Sequence, residues 1–411
     1  MSRSSNRKLI FVNRFFFPDH SATSQMVSDL AFALAAAGFD VQVVTSRLRY
    51  DDPAAELPGR EAIGGVQVHR VRTTRFGRHL LPGRALDYLT FYLSAAWRLF
   101  RLLRRGDVVV AKTDPPLISV PVGWVAGLRG ARLVNWLQDL FPEVAAALGI
   151  RLARGTAGGL LAGLRDRSLK RAAMNVAIGE GMRKRLLDLG VDSARVEVVH
   201  NWSDDERIRP LPAAENPLRG EWGLDGKFVV GYSGNLGRAH EHETLLAAAD
   251  RLRGERDTVF LFIGGGASMD GLRAEAQARG IANLIFRPYQ TVERLRESLA
   301  VPDVHLVVLR PEMEGLIVPS KFYGIAAAGR PTIFVGSSDG EIAGLLASGE
   351  AGLAVDQGDD AGLAGVILRL RDNPALRERM GQNARWLCEE RFSRRAALKH
   401  WERVLSAASQ G

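Results

Sequence analysis

The feature that most limits what this chain can fold into is a regular alternation of short apolar runs with longer stretches of helical periodicity. In the first half, segments with the spacing of amphipathic helices alternate with apolar runs at Lys8–Asn13, Asp40–Thr45, Val66–Val71, Asp107–Ala111, Ala131–Trp136, Met174–Ile178 and Arg195–Val199. Such a βαβ rhythm predicts a mainly parallel sheet with helices on both faces. The rhythm returns in the second half, with strands predicted at Lys227–Tyr232, Val259–Gly264, Asn283–Phe286, Val304–Val308 and Pro331–Val335.

The chain length, 411 residues, favours two domains over a single core. Three prolines and many polar residues fill 201–219, which predicts a linker between the domains. We therefore predict a doubly wound, Rossmann-like domain at 1–205, a second one at 206–380, and C-terminal helices at 381–411 that pack back toward the first domain. Ligands of such folds bind at the loops after the strands, so we expect the two domains to face a central cleft.

Composition excludes several classes of protein. With 46% hydrophobic and 25% charged residues, the chain is globular rather than disordered. Its one cysteine, Cys388, cannot form an internal disulfide, and no cysteine–histidine pattern has the spacing of a zinc site. The first apolar run ends at Asn13 and is too short for a signal peptide, and the run at Leu117–Leu128 is too short to span a membrane. We expect a cytoplasmic protein.

The net charge is +9, and 48 of the 55 basic residues are arginines. Arginine binds phosphate groups through two parallel hydrogen bonds, so the excess suits nucleotides, anionic lipids or nucleic acids. A genome rich in arginine codons would produce the same bias without any function. The charge alone therefore leaves the partner open.

The loop richest in chemically useful residues is RPEMEGLIVPSKFYGIAAAGRP, which follows a predicted strand. It carries two carboxylates, Glu312 and Glu314, and enters a helix at Pro319, Ser320 and Lys321. Proline suits the first turn of a helix, and the free N–H groups at a helix start attract phosphate. Lys321 would add a positive charge, so this loop is predicted to bind a diphosphate.

A second loop, GYSGNLGRAHE, follows the first strand of the second half. Gly234 would let the backbone approach a pyrophosphate closely, and Arg238 would bind its charge. Asn235 and His240 are the other polar candidates in this loop. An ordinary turn between a strand and a helix would explain the same residues.

These loops resemble the retaining glycosyltransferases of family 4, whose two-domain fold is called GT-B, and in particular the members that build bacterial surface polysaccharides such as colanic acid. The resemblance implies that Glu314, with Glu312 beside it, acts on the donor sugar. The donor-binding residues that it implies are Gly234, Asn235, Arg238, His240, Ser320, Lys321, Arg287 and Tyr289, the last two near the nucleobase. The family's second motif glutamate is missing because its place falls on Gly324, and Glu341 is the candidate substitute.

The first half is expected to bind the acceptor. Its first loop, FFFPDHSATS, offers Asp19, His20 and Ser24 in place of the family's glycine-rich loop, and the three phenylalanines would suit an acyl chain. By the same resemblance, Asp139 in NWLQDLFPE lies near the transferred sugar and is a candidate catalytic residue. Lys112, at the end of another predicted strand, is a candidate contact for an acceptor phosphate. Polar residues at these positions would equally serve as caps of helices or turns.

The resemblance implies an enzyme, a hexosyl- or N-acetylhexosaminyltransferase of the retaining type. We expect it to move a sugar from a nucleotide diphosphate, expected to be UDP, to a polyprenyl-diphosphate-linked or glycan acceptor in surface-polysaccharide synthesis. Neither a cofactor nor a metal is expected. Two alternatives remain: a nucleotide-sugar epimerase of the same fold, and a basic nucleic-acid-binding protein. The second lacks a recognisable binding module, so we expect no nucleic-acid partner.

The segment 80–105 predicts a further partner. Apolar residues recur in it at helical spacing and basic residues cluster near its end, namely Leu86, Leu89, Leu93, Trp97 and Phe100, and Arg98, Arg101, Arg104 and Arg105. A basic, aromatic, amphipathic helix can lie in the headgroup layer of an anionic membrane. We therefore expect peripheral association with the inner surface of the cytoplasmic membrane. In the alternative interpretation, the apolar stripe belongs to the core and the arginines form its solvated edge.

Overall fold

The computed structural model describes residues 7–19, 21–49, 52, 56–77 and 81–410. Its contacts divide the chain into two compact units. The first unit contains Met1–Val199 and Leu398–Gly411, and the second contains His200–Ala397. The chain therefore enters the second unit just before the predicted linker and returns to the first unit close to its C-terminus.

The first unit contains an eight-stranded sheet. Its strands are β1 (Lys8–Val12), β2 (Asp40–Ser46), β3 (Arg60–Ile63), β4 (Val66–Val71), β5 (Val108–Lys112), β6 (Arg132–Trp136), β7 (Met174–Ala177) and β8 (Val196–Val198). Their order across the sheet is β3-β4-β2-β1-β5-β6-β7-β8, and all neighbours are parallel except β3 and β4. The order reverses between β1 and β5, so the loops after these two strands flank a site where ligands of such sheets bind.

Helices cover this sheet: α1 (Ala22–Ala36), α2 (Leu81–Leu102), α3 (Ser119–Arg129), α4 (Glu143–Ala147), α5 (Gly155–Arg171) and α6 (Glu180–Asp188). The core-facing side of α2 is formed by Phe91, Ala95 and Leu99, which are completely buried. They recur every four residues and so share one face of the helix. Together with apolar residues of α3 and of the strands, they form one hydrophobic cluster.

The second unit contains a six-stranded, fully parallel sheet. Its strands are β9 (Phe228–Asn235), β10 (Thr258–Gly265), β11 (Leu284–Arg287), β12 (Val304–Val308), β13 (Thr332–Gly336) and β14 (Gly352–Asp356). They lie in the order β11-β10-β9-β12-β13-β14. The order reverses between β9 and β12, and the loops after these strands are the two that the sequence predicts to bind a diphosphate.

The helices of the second unit are α7 (Pro217–Glu221), α8 (Glu243–Arg251), α9 (Met269–Ala278), α10 (Leu295–Ala300), α11 (Lys321–Ala327), α12 (Glu341–Gly349), α13 (Asp360–Asp372) and α14 (Pro374–Leu387). One more helix, α15 (Arg394–Gln410), follows α14. Its Trp401 is completely buried and packs edge-on against Trp136, with ring centroids 4.7 Å apart. Two parallel-sheet α/β units confirm the predicted fold class.

Three details differ from the sequence predictions. Strands β3 and β14 were not predicted, because REAI is half polar and GLAVD is short and rich in small residues. The helix after the loop predicted to bind a diphosphate begins at Lys321 with Ser320 as its N-cap, so Pro319 precedes the helix instead of forming its first turn.

The segment 201–219 is packed against the second unit and is not a free linker. Trp202 and Ile208 are buried, and α7 begins inside the segment. The guanidinium of Arg385 donates hydrogen bonds to the carbonyl oxygens of Asp205 and Ile208, at 3.1 and 2.8 Å. Its prolines therefore mark an irregular but ordered stretch of backbone. In the described part of the chain, no helix combines the length and the apolar character needed to cross a bilayer.

Candidate active site

In the second unit, the loops after β9 and β12 are joined where the strand order reverses. The backbone N–H of Arg310 donates to the carbonyl oxygen of Ala239 at 3.0 Å. Lys321 then begins α11 and extends over the end of β9, since a Cβ atom on Gly234 would lie 3.3 Å from its Cε atom. Gly234 has a φ of +113°, which favours glycine, so sterics and backbone conformation agree at this position.

The amine of Lys321 is held by two rings. Its Nζ lies 3.2 Å from Nε2 of His240 and 5.0 Å from the centre of the Tyr232 ring. Burial lowers the pKa of Lys321 to about 8. Burial, and then the charge of Lys321, lower the pKa of His240 to about 3, so this imidazole is neutral. Among the described residues, no carboxylate contributes to the shifted pKa of Lys321, which burial alone lowers.

The neutral imidazole determines the direction of the hydrogen bond between Lys321 and His240. Because Lys321 is mainly an ammonium at neutral pH, its N–H donates to Nε2 of His240. In the tautomer that accepts this hydrogen bond, the imidazole proton is on Nδ1 and points to the carbonyl oxygen of Gly237 at 3.2 Å; in the other tautomer, Nδ1 accepts the backbone N–H of Gly237 at 3.0 Å. His240 is therefore not a cation of the loop but the group that orients one. Arg238, the other predicted cation, is exposed in the same loop.

The glycine-rich end of β10 lies beside this lysine. Gly264 and Gly266 both have φ of +130°. A Cβ atom on Gly264 would lie 2.4 Å from the carbonyl oxygen of Gly234, and one on Gly266 would lie 2.4 Å from Oδ1 of Asn235. Tyr289 places its ring 3.4 Å from the Cβ position of Gly265 and is 60% exposed. It could stack a nucleobase. Arg287 instead lies over Trp222, 5.7 Å from the ring centre.

The two predicted carboxylates of the 310–331 loop have different surroundings. Glu312 is exposed and lies 4.0 Å from Arg310. Glu314 reaches the start of α12, where its Oε2 accepts a hydrogen bond from the N–H of Glu341 at 3.2 Å. A side chain on Gly340 would collide with this carboxylate, because its Cβ atom would lie 2.3 Å from Oε1. Glu314 thus caps a helix in this structure.

Glu341, the candidate substitute for the missing motif glutamate, belongs to the same cluster. Its Oε1 lies 3.9 Å from Nδ1 of His200, and both side chains are nearly buried. Its charge contributes, after burial, to raising the pKa of Tyr323. Gly324 is partly exposed, and a Cβ atom there would make only an ordinary contact of 3.5 Å with Leu299. The backbone at 324 therefore has room for a side chain that the sequence does not supply.

In the first unit, Asp139 is the best-placed acid–base group. Burial raises its pKa to about 7, the charge of Asp114 adds to this, and a hydrogen bond from Thr113 opposes it. Its Oδ1 has no hydrogen-bond partner in the described chain. Asp114 in turn accepts a hydrogen bond from the hydroxyl of Thr23 at 2.9 Å. Asp139 therefore exchanges its proton near neutral pH.

Other acceptor-side candidates are placed differently from the prediction. Lys112 is buried with its Nζ 3.7 Å from the centre of the Trp136 ring, and burial lowers its pKa well below the usual range, so it does not present a charge to an acceptor phosphate. Ser24 is also buried and donates to the carbonyl oxygen of Asp19 at 3.2 Å. Asp19 itself accepts from the N–H of Ser21, and His20 lies outside the described residues.

The three phenylalanines after β1 are not a common exposed surface. Phe15 and Phe16 are buried, and only Phe17 is exposed, with its ring edge-on to Phe32. The prediction of an acyl-binding surface from all three is therefore wrong. They follow a central strand, and side chains at such a position pack into the domain.

Two important neighbours were missed by the sequence predictions. Tyr232 lies within β9, where its ring supports Lys321, and an apolar strand pattern does not distinguish it from a core residue. Asp114 influences the pKa of Asp139 across the sheet. The sequence contained one signal for it, a carboxylate directly after a buried strand. No cluster of three or more potential metal ligands occurs among the residues that the structure describes.

Both units match models of known protein families. Residues 21–202 match the glycosyl transferase 4-like domain, and residues 215–386 match the glycosyl transferases group 1. WbjE of Pseudomonas aeruginosa, named as a glycosyltransferase, is 30% identical over 71% of this chain and 72% of its own length. WcaI of Escherichia coli K12, named as a colanic acid biosynthesis glycosyl transferase, is 29% identical over 90% of this chain and 95% of its own length.

Solved structures support the fold at lower identity. A sucrose-phosphate synthase from Thermosynechococcus elongatus superposes with a TM-score of 0.76 at 18% identity, covering 97% of this chain and 98% of that one. HepE of Anabaena, solved in complex with UDP-glucose, gives 0.72 at 15% identity, covering 97% and 99%.

The fold and these matches define a two-domain glycosyltransferase of the GT-B type. The chain belongs to glycosyltransferase family 4 and is an enzyme that transfers a sugar.

Proposed function

We propose that the chain transfers a hexosyl or N-acetylhexosaminyl group, with retention, from a nucleotide diphosphate to a polyprenyl-diphosphate-linked or glycan acceptor. One observation supports the donor part most strongly. Lys321 is a partly buried cation that has no carboxylate partner among the described residues and is held in place by a neutral histidine. A buried cation is costly unless a counter-charge accompanies it, and a donor diphosphate would supply that charge.

In the proposed reaction, the bond between the anomeric carbon and the diphosphate oxygen breaks, and the acceptor oxygen bonds to the same carbon. Lys321 and the exposed Arg238 would neutralise the charge that develops on the leaving diphosphate, and such assistance is often the largest contribution to catalysis. The acceptor proton is assigned to Asp139, whose pKa near 7 suits a general base. Neither a metal nor a cofactor is part of the proposal.

The nucleoside is proposed to be uridine. Tyr289 offers an exposed ring beside the glycine turn of β10 on which a base would stack. The solved relative HepE contains UDP-glucose, which is consistent with this choice. The proposed place of the reaction, the cytoplasmic surface of a membrane in surface-polysaccharide synthesis, is supported by the relative named for colanic acid biosynthesis.

Titration calorimetry tests the donor site. UDP should bind more tightly than ADP or GDP. Lys321→Ala should weaken UDP binding by about 10- to 100-fold, because it removes one charge-assisted contact. Lys184→Ala, which removes an exposed lysine of the first unit, is the matched control and should leave the affinity unchanged. Equal UDP affinities of the parent protein and Lys321→Ala would refute the assignment.

An activity assay on the same protein preparation distinguishes a transferase from an epimerase. A transferase should consume the donor only slowly without an acceptor and rapidly with one. An epimerase would interconvert the free nucleotide sugar, which nuclear magnetic resonance of the donor alone would detect. Conversion of the donor to an epimer without release of UDP would favour that alternative.

A further inference from the structure

The apolar stripe of α2 lies on the outside of the protein. Leu86, Leu89, Leu93, Trp97 and Phe100 occupy the side of the helix opposite Phe91, Ala95 and Leu99, the core-facing residues. The interpretation of the stripe as core is therefore wrong. The core-facing residues lie on the other side of the helix, and the outer side carries large apolar residues that are between 42% and 65% exposed.

Helix α3 extends this surface. It packs beside α2, and its Trp124 and Leu128 are exposed as well. We call these seven residues of α2 and α3 the apolar helical face, and each is between 42% and 70% exposed. The guanidinium of Arg129 in α3 lies 5.1 Å from the centre of the Phe100 ring in α2, so the two helices contribute to one continuous surface. Exposed apolar groups of this extent mark interaction sites.

The charges around the apolar helical face are predominantly basic. Arg101, Arg104 and Arg105 are exposed at the end of α2. The only acidic residues of α2, α3 and the neighbouring α5 are Asp87, which is buried, and Asp166, which is ion-paired with Arg165 at 2.6 Å. The surface therefore combines a large apolar area with a cationic edge.

We propose that the apolar helical face inserts into the headgroup layer of an anionic lipid bilayer, with the arginines of α2 and α3 bound to lipid phosphates. Tryptophan and phenylalanine suit this depth, and each basic residue near anionic lipid strengthens binding about fivefold. On α5, Leu160 and Leu164 are also exposed, which enlarges the apolar area on the adjacent helix. This inference rests on the proposed function, because a polyprenyl-linked acceptor is presented at such a surface.

A second copy of the chain fits the surface less well. A symmetric dimer brings identical patches together, so arginines would meet arginines without carboxylates between them. Like charges placed together across an interface oppose association. An anionic bilayer provides the opposite charge along the whole cationic edge and accepts the apolar side chains at the same time.

Vesicle flotation tests the proposal. The full chain should float with vesicles of equal parts phosphatidylglycerol and phosphatidylcholine, and only weakly with phosphatidylcholine alone. Trp97→Ser combined with Trp124→Ser should reduce binding at least tenfold. Trp386→Ser removes an exposed tryptophan of the second unit and is the matched control, expected to bind like the parent protein.

A second set of variants tests the contribution of the arginines to vesicle binding. Combining Arg101→Gln, Arg104→Gln and Arg105→Gln should reduce binding to anionic vesicles about a hundredfold at low salt and weaken its salt dependence. The control replaces Arg256, Arg369 and Arg379, three exposed arginines of the second unit, and removes the same charge without reducing binding.

Two results would overturn the inference. One is equal binding of the parent protein to anionic and neutral vesicles. The other is absence of vesicle binding together with a dimer in light scattering that dissociates in the tryptophan double variant. Calorimetry with UDP on the same variants keeps the two proposals separate. Variants of the apolar helical face that lose flotation but keep their UDP affinity would support both proposals. Loss of UDP affinity in Lys321→Ala tests the donor site independently of any lipid result.

Discussion

The amine of Lys321 depends on its surroundings at the scale of single atoms. Burial lowers its pKa to about 8, a neutral imidazole accepts its hydrogen bond, and the face of a tyrosine lies beneath it. Each of these groups tolerates a cation without neutralising it. Lys321 is therefore protonated and able to bind an anion at neutral pH, and it loses its charge as the pH rises through about 8.

Donor affinity should consequently fall at alkaline pH. A bound diphosphate favours the ammonium form and raises its pKa, so the affinity is constant up to about pH 7 and falls as the free lysine loses its proton through pH 8. The fall approaches tenfold per pH unit above pH 8. Calorimetry between pH 7 and 9.5 measures it, and proton uptake on binding should appear near pH 8. Lys321→Arg, which stays charged, should bind with nearly constant affinity over this range.

Asp139 should show the opposite dependence in turnover. As a base it must be ionised, so kcat/KM should rise with pH through about 7, and Asp139→Asn should lose this limb along with most activity. A pH profile of Asp139→Asn with the parent's acidic limb would assign that limb to another group.

The same shift predicts a stability effect. Because the folded-state pKa is raised, Asp139 favours the folded state most at acidic pH, and this contribution is lost as the pH rises from about 4 to about 7. Asparagine avoids the ionisation. We therefore expect Asp139→Asn to be more stable than the parent protein at pH 8, by on the order of 1–3 kcal/mol, and the gain to vanish at pH 4. Denaturant titrations at the two pH values measure both.

At the scale of elements, the start of α12 shows how one residue can have a structural and a chemical role. Glu314 accepts the N–H of Glu341 and fits only because residue 340 is glycine. Helix starts favour such acceptors and also favour negative charge. A carboxylate at this place therefore stabilises the loop that leads to Lys321.

Substitutions separate the two roles. Glu314→Gln keeps an acceptor oxygen but loses the charge, so turnover should fall at least tenfold with little change in melting temperature. Glu314→Ala loses the cap as well and should cost about 1 kcal/mol of stability. Glu312→Gln, at an exposed position two residues earlier, is the control and should retain activity. Full turnover of Glu314→Gln would limit this glutamate to its capping role.

Elements were predicted from the sequence where their pattern is strong. The central strands are apolar on both faces, and the two loops at the reversal between β9 and β12 were recognised from glycine, lysine and carboxylates. Edge strands such as β3 and β14 have too few apolar residues for such a pattern. The role of His240 could not be predicted either, because its pKa is lowered by burial and by the charge of Lys321, a residue 81 positions away in the sequence.

At the scale of the whole molecule, the first unit depends on the last helix. Trp401 is completely buried against Trp136, and large-to-small substitutions in such cores cost about 3–5 kcal/mol. Trp401→Ala should lower the melting temperature of the first unit while UDP still binds the second. Scanning calorimetry with and without UDP measures both, and Trp386→Ala, at an exposed position, is the control. A variant that melts like the parent protein would show that α15 is dispensable.

The position of α15 also has a consequence for synthesis on the ribosome. Chains emerge from the N-terminus, and domains generally fold as they are completed. Residues up to Val199 are synthesised before the second unit, whereas Leu398–Gly411, which belong to the same first unit, are synthesised after it. The second unit is contiguous in sequence and can finish folding during translation. The nascent first unit must therefore keep the place of Trp401 against Trp136 open until the whole second unit and the residues of α15 have been synthesised.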